Sequence, residues 1–255
     1  MKLSPRLLWI CCFLLLATCR NAGNTEGKVT IATSANMQYA MKALAKRFTD
    51  NTGIPCELIV NSSGKLTAQI REGAPYDIFV AANMQYPMEI DRQGLAEAPP
   101  ALYAEGQLVL WTIREGVEPS VEALASDEVA HIALANPRTA PYGKAALECL
   151  RHQNLLPVVS DKLVYGESIS QTNQFILSGS AEMGFTAMAV VLSPQMKGKG
   201  RWILIPREWH SPIEQGVVLL KKEKGPGKGA AMFYDFLLSQ EAGEILVNYG
   251  YSVDE

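Results

Sequence analysis

Positive charge is in short supply. The 255-residue chain carries 23 Lys and Arg against 26 Asp and Glu, a formal net charge of −3, so it offers no basic face to a nucleic-acid backbone. Histidine is scarcer: His131, His152 and His210 stand far apart with no ligand-like spacing, which argues against a metal site. The five cysteines form no C-x-x-C pair, which excludes a zinc knuckle or a dithiol redox motif. Cys11 and Cys12 fall in an apolar leader and Cys19 follows it, leaving Cys56 and Cys149 in the folded body, expected as buried free thiols rather than a disulfide. The apolar run Leu7 to Ala17 is eleven residues, too short to cross a bilayer.

What that run does provide is an export signal, because Lys2 and Arg6 precede it. Residues 1–18 read as a removable signal peptide, and without Lys2 and Arg6 the mature chain stands at −5. Leu16-Ala17-Thr18-Cys19 resembles the lipobox of bacterial lipoproteins, with Thr18 where Gly, Ala or Ser is usual, so Cys19 is the expected lipidation site. Residues 19–27 then form a polar tether. The expected location is outside the cytoplasm, periplasmic or anchored to the membrane by lipid.

The body repeats one unit. Lys28 to Thr33 reads as a strand, Ser34-Ala35-Asn36 as a turn, and Met37, Met41, Leu44 and Phe48 as the inner face of a helix ending near Gly53. Glu57 to Val60 is the next strand, Asn61-Ser62-Ser63-Gly64 its turn, and Leu66 and Ile70 mark the following helix. Asp77 to Ala82 is nearly all apolar, as in a strand buried on both faces, and a helix from Met84 to Gln93 follows it. After Pro99-Pro100, Gln107 to Thr112 is a strand. The unit returns as strand His131 to Asn136, turn Pro137 to Tyr142 and helix Gly143 to Asn154. It returns again as strand Lys162 to Tyr165, turn Gly166 to Ser170 and helix Gln171 to Leu177. Met183 to Ala187, Arg201 to Ile205 and Gln215 to Leu220 add strands, and two helical stretches run on to Tyr249. Met37, Met41 and Met88 are expected in the core.

Such alternation implies parallel sheets with helices on both faces. The expected fold class is α/β: two doubly wound α/β domains joined by a hinge near Gln107 and again near Gln215. Domain I would comprise 28–106 plus 215–255, and domain II 107–214. Ligands of open parallel sheets bind beyond the carboxyl ends of the strands, so four turns, two on each side of residue 107, would converge on one cleft. Each begins a helix, whose first amides lack internal partners and carry about half a positive charge. Hydroxyls and free amides together make an anion pocket. No Lys or Arg is shared by the four turns, which points to recognition by neutral donors.

Particular residues carry a family resemblance. They are Ala35-Asn36, Asn61-Ser62-Ser63-Gly64-Lys65-Leu66 with Gln69-Ile70, Gly73-Ala74-Pro75-Tyr76-Asp77-Ile78-Phe79, Pro141-Tyr142-Gly143-Lys144-Ala145-Ala146 and Gln240-Glu241-Ala242-Gly243-Glu244-Ile245-Leu246. From about Lys28 to Tyr251 the chain resembles the molybdate-binding proteins of bacterial ABC importers, which are type II periplasmic binding proteins. The resemblance implies a tetrahedral oxyanion, molybdate and with it tungstate, in an interdomain cleft. Carried over by position, Ala35 and Asn36 would serve the first turn, Ser63 the second, Tyr142 the third and the backbone N–H of Ile169 the fourth, with Ser34 as a further hydroxyl. It also implies a monomer that performs no catalysis, needs no cofactor and meets a membrane permease. Some relatives carry a tyrosine just after the strand Met183-Gly184-Phe185; here Thr186 and Ala187 stand there, and Tyr142 would supply a hydroxyl from the other side.

Rival readings remain in view. The same fold could take sulfate, phosphate or an organic acid, although a carboxylate usually calls for an Arg that no turn offers. An enzyme could use the cleft, but Ser62-x-x-Lys65 lacks the companion motifs of serine–lysine acyl transfer. Gly64-Lys65 lacks the earlier glycine of a P-loop, Ile59 standing in its place.

Overall fold

A computed structural model of the chain describes residues 27–253. The signal peptide at 1–18, Cys19 and the tether up to residue 26 lie outside the described residues, as do 254 and 255.

The first part of the chain forms β1 (Val29–Ser34), α1 (Gln38–Thr52), β2 (Cys56–Asn61), α2 (Ser63–Arg71), β3 (Ile78–Ala81), α3 (Gln85–Arg92) and β4 (Ala101–Gly106). A second sheet follows with β5 (Leu108–Thr112), β6 (Ile132–Ala135), α4 (Pro141–His152), α5 (Leu156–Val159) and β7 (Leu163–Gly166). It is completed by α6 (Ile169–Leu177), β8 (Met183–Ala187), α7 (Met188–Val191) and β9 (Arg201–Leu204). The chain then returns to the first sheet as β10 (Ile213–Leu219) and ends in α8 (Lys228–Leu237) and α9 (Gln240–Asn248). The sheets have orders β2-β1-β3-β10-β4 and β7-β6-β8-β5-β9.

Each sheet is mixed, where sequence periodicity alone implied parallel sheets. β1 lies parallel between β2 and β3, and β6 lies parallel between β7 and β8. β10 runs antiparallel to β3 and β4, and β5 runs antiparallel to β8 and β9. The crossings between the sheets explain the reversal. Strands whose ends build the central cleft run toward it, whereas a strand that brings the chain in from the other sheet starts at the cleft and runs away.

Both sheets are covered on both faces, as a doubly wound fold requires. On one face of the first sheet, Val29, Ile31, Met41, Leu44 and Phe48 pack with Phe233, Leu237 and Leu246 of α8 and α9; on the other, Ala32 and Phe79 meet Leu66, Ile70 and Ile90. The second sheet buries Leu134, Phe185, Ala146 and Leu150 on one side and Trp111, Ala133 and Ile176 on the other. Burial on two sides is why β3 and β6 read as unbroken apolar runs and β5 and β8 as nearly so, each with one threonine.

Three details depart from expectation or add to it. β4 was not legible, because Ala101-Leu102-Tyr103-Ala104-Glu105-Gly106 has weak strand propensity and is ordered by pairing with β10 and by the bridge from Glu105 to Ser252. Met37 and Met41 are fully buried, but Met88 is 50% exposed, since α3 turns Pro87 and Ile90 inward instead. Cys56 and Cys149 are free, Cys149 buried and Cys56 half-buried, and burial pushes their thiols up to about 11 and about 12 respectively.

The ring of Phe233 meets Phe48 edge-to-face at 5.1 Å in the outer core of the first sheet. Phe233→Ala should therefore lower unfolding free energy by about 3–5 kcal/mol, measured by urea denaturation.

Candidate functional site

The four strand–turn–helix units place their turns around one small cavity between the sheets. It is lined by Ser34, Ala35 and Asn36 after β1, and by Ser62 and Ser63 after β2. Ala82 after β3, Ala140, Pro141 and Tyr142 at the start of α4, and Ile169 at the start of α6 complete the wall. All six residues singled out from the sequence, Ser34, Ala35, Asn36, Ser63, Tyr142 and Ile169, thus meet at one place. Ser62 joins them; its position in the same turn was the available signal, but the carry-over selected only its neighbour. Thr186 stays apart, buried and donating to Asn173 Oδ1 at 2.6 Å.

The lining carries no ionisable side chain except the Tyr142 phenol. Burial, with Tyr251 and Tyr103 close by, holds that phenol well above the usual tyrosine range, so it stays a neutral donor at physiological pH. The oxygens of Ser34, Ser62 and Tyr142 are buried without a hydrogen-bond partner among the described residues. Ser62 occupies the N-cap position of α2 but makes no side-chain capping bond. Ser63 is bound differently: its Oγ accepts from the Ala82 N–H at 3.0 Å, which leaves its own proton to point elsewhere. Ile169 begins α6, after Ser168 has capped the helix through Gln171 N, and its amide is one of those a helix start leaves free.

Asn36 is not a simple cap. Its Nδ2 donates to Gln215 Oε1 at 2.8 Å and to Tyr251 Oη at 3.0 Å, so its side-chain donors are spent inside the protein. Tyr142 reaches across from the second sheet to Gly106 at the end of β4. A Cβ on Gly106 would stand 2.1 Å from Tyr142 Oη, so only glycine leaves room for the hydroxyl there.

The site is a desolvated shell of hydroxyls and helix-start amides, suited to a small anion and lacking a nucleophile–base pair. Among the described residues no group of three or more His, Cys, Asp or Glu is placed to hold a metal. The family model described as bacterial extracellular solute-binding protein matches residues 29–252. The chain belongs to that family. It is accordingly a binding protein of a transport system and not an enzyme. It is 34% identical over 229 residues to the molybdate-binding protein ModA of Azotobacter vinelandii, covering 89% of this chain and 90% of the relative. With the ModA of Rhodobacter capsulatus it shares 35% over 227 residues, 88% of each chain. The solved structure of the Azotobacter vinelandii periplasmic molybdate-binding protein superposes with a TM-score of 0.83 at 32% identity, covering 89% of this chain and 100% of that one.

In this solute-binding protein the two sides of the cleft are joined directly. The Gly64 N–H donates to Thr139 O at 2.9 Å, Ser170 Oγ to Gln38 Oε1 at 2.9 Å, and Lys65 Nζ meets Glu167 Oε2 at 2.5 Å. The last pair is half-exposed and worth little by itself. Gly64 matters more, because a Cβ on it would lie 2.9 Å from Thr139 Cα. Gly64→Ala should hold the two sides apart and weaken ligand binding by about 1–3 kcal/mol, read by calorimetry, while leaving the thermal melt of the unliganded protein nearly unchanged.

Proposed function

We propose that this solute-binding protein serves an ABC importer by holding a tetrahedral oxyanion, molybdate and with it tungstate, in the cavity between its two sheets. The observation that carries the reading is the set of buried hydroxyls of Ser34, Ser62 and Tyr142 without partners among the described residues, beside the free proton of Ser63. An unmatched buried donor costs about 1–3 kcal/mol, and a small dianion with several acceptor oxygens relieves all of them together. Charge-assisted hydrogen bonds are roughly twice as strong as neutral ones, which lets Ser34, Ser62, Ser63, Tyr142, the backbone amides of Ala35 and Asn36 and that of Ile169 replace a countercharge. The ModA relatives support molybdate as the anion.

The same shell discriminates. Hydrogen phosphate carries a hydroxyl that needs an acceptor, and no carboxylate lines the cavity. An organic acid finds no Arg, and sulfate, being smaller, fills fewer contacts. Closure follows a hinge where the chain passes near Gln107 and again near Gln215, between domain I (28–106 plus 215–255) and domain II (107–214), and the closed form is what a membrane permease accepts. Residues 1–18 direct export, Cys19 carries the lipid anchor, and the protein works as a monomer.

Calorimetry with molybdate, tungstate, sulfate and phosphate tests this. Molybdate and tungstate should bind tighter than about 1 μM, worth about 8 kcal/mol, with sulfate and phosphate at least about 100-fold weaker. Binding of molybdate and tungstate no tighter than the other two rejects the assignment. Ser63→Ala should weaken molybdate binding by about 1–3 kcal/mol, and unchanged affinity removes that hydroxyl from the site.

A further inference from the structure

We infer that Gln215 is a positioning residue of the oxyanion site, an inference that rests on the functional reading above. Gln215 is fully buried on β10, where the chain re-enters the first sheet and the register shifts between Gln215 and Gly216. It does not line the cavity. Its side chain is nevertheless bonded to two of the turns that do. Oε1 accepts from Asn36 Nδ2 at 2.8 Å, and Nε2 donates to Ala82 O at 3.2 Å and to Ile213 O at 3.0 Å.

Both outward bonds lead to the cavity. Asn36 belongs to the turn after β1, and its second amide proton goes to Tyr251 Oη at 3.0 Å, so the turn is held by β10 on one side and by the C-terminal segment on the other. Ala82 is pinned at its carbonyl by Gln215 and at its N–H by Ser63 Oγ. That N–H occupies a lone pair of Ser63 and decides where the hydroxyl proton can go. The route from Gln215 to Ser63 therefore runs through a single residue. Gly106, at the other passage between the sheets, brings the third turn to the same place: a Cβ there would stand 2.1 Å from Tyr142 Oη and 2.9 Å from Gln215 Nε2.

Glutamine suits this position because it offers one acceptor and two donors on one planar group. A glutamate of the same size keeps the acceptor for Asn36 and loses both donors; a methionine loses all three contacts. Gln215 thus ties the segment that crosses between the sheets to the aim of Ser63.

A double-mutant cycle with the exported protein tests this, using molybdate calorimetry on the wild type, Ser63→Ala, Gln215→Glu, Gln215→Met and the two double variants. In the wild-type background Ser63→Ala should weaken binding about 10-fold. In either Gln215 background the same change should weaken it no more than about 3-fold, because the hydroxyl is no longer aimed. The molybdate-to-sulfate affinity ratio should fall in both Gln215 variants. Equal fold-losses for Ser63→Ala in all backgrounds, with the anion ratio unchanged, overturn the inference and leave Gln215 a structural residue. So does the absence of a cooperative thermal melt in both Gln215 variants. If the wild type binds none of the four anions, the functional reading fails first and takes this inference with it.

Discussion

Donors buried without an opposite charge or an internal partner are the constraint from which the cleft follows. Ser34, Ser62 and Tyr142 keep their buried hydroxyls without a partner among the described residues, a disposition that folding opposes unless the surroundings hold it in place. Two rigid sheets do so by bringing four helix starts to one point. The price is met by packing elsewhere: the apolar clusters on both faces of each sheet fix the strands, and the strand ends fix the turns. A Lys or Arg in the cavity would remove the need for so many donors, and would also admit anions of other shapes.

The passages of the chain between the sheets are as important as the turns. β5 and β10 start at the cleft and run against the strands that end there, which makes both sheets mixed. The same passages bring Gly106 and Gln215 up behind residues that line the cavity, where glycine gives room to the Tyr142 hydroxyl and glutamine joins Asn36 to Ala82. Across the mouth, the Gly64 amide bonds to Thr139 O. An amide that a helix start would lend to an anion is used here to hold the two sides together. Function in this fold is divided between groups that face the cavity and groups that set the distance across it.

Much of this was legible in the residues themselves. The strand patterns of β1, β2, β6 and β7, each followed by small or hydroxylated residues and a helical pattern, gave the four strand–turn–helix units directly, and the family resemblance picked out Ala35, Asn36, Ser63, Tyr142 and Ile169 within them. Strand direction was not legible, because it depends on where the chain crosses between sheets, and local periodicity does not encode that. β4 escaped for a local reason, its alanines, Glu105 and Gly106 lacking the β-branched character of a strand. Ser62 and Ser63 are indistinguishable as neighbours in a turn; only the bond from Ala82 to Ser63 separates their roles. Asn36 lines the cavity, yet its side chain serves Gln215 and Tyr251, partners 179 and 215 residues away that no local pattern connects.

The most direct test of the account is a crystal structure of the protein with molybdate, using anomalous scattering at the molybdenum edge to locate the ion. The account predicts a single strong anomalous peak in the cavity between the Ser34 turn, Ser63, Tyr142 and the start of α6, with the Ser34, Ser63 and Tyr142 oxygens and the Ile169 amide nitrogen within about 2.7–3.2 Å of its oxygens. A peak elsewhere, or none in a cleft closed as described, would contradict it.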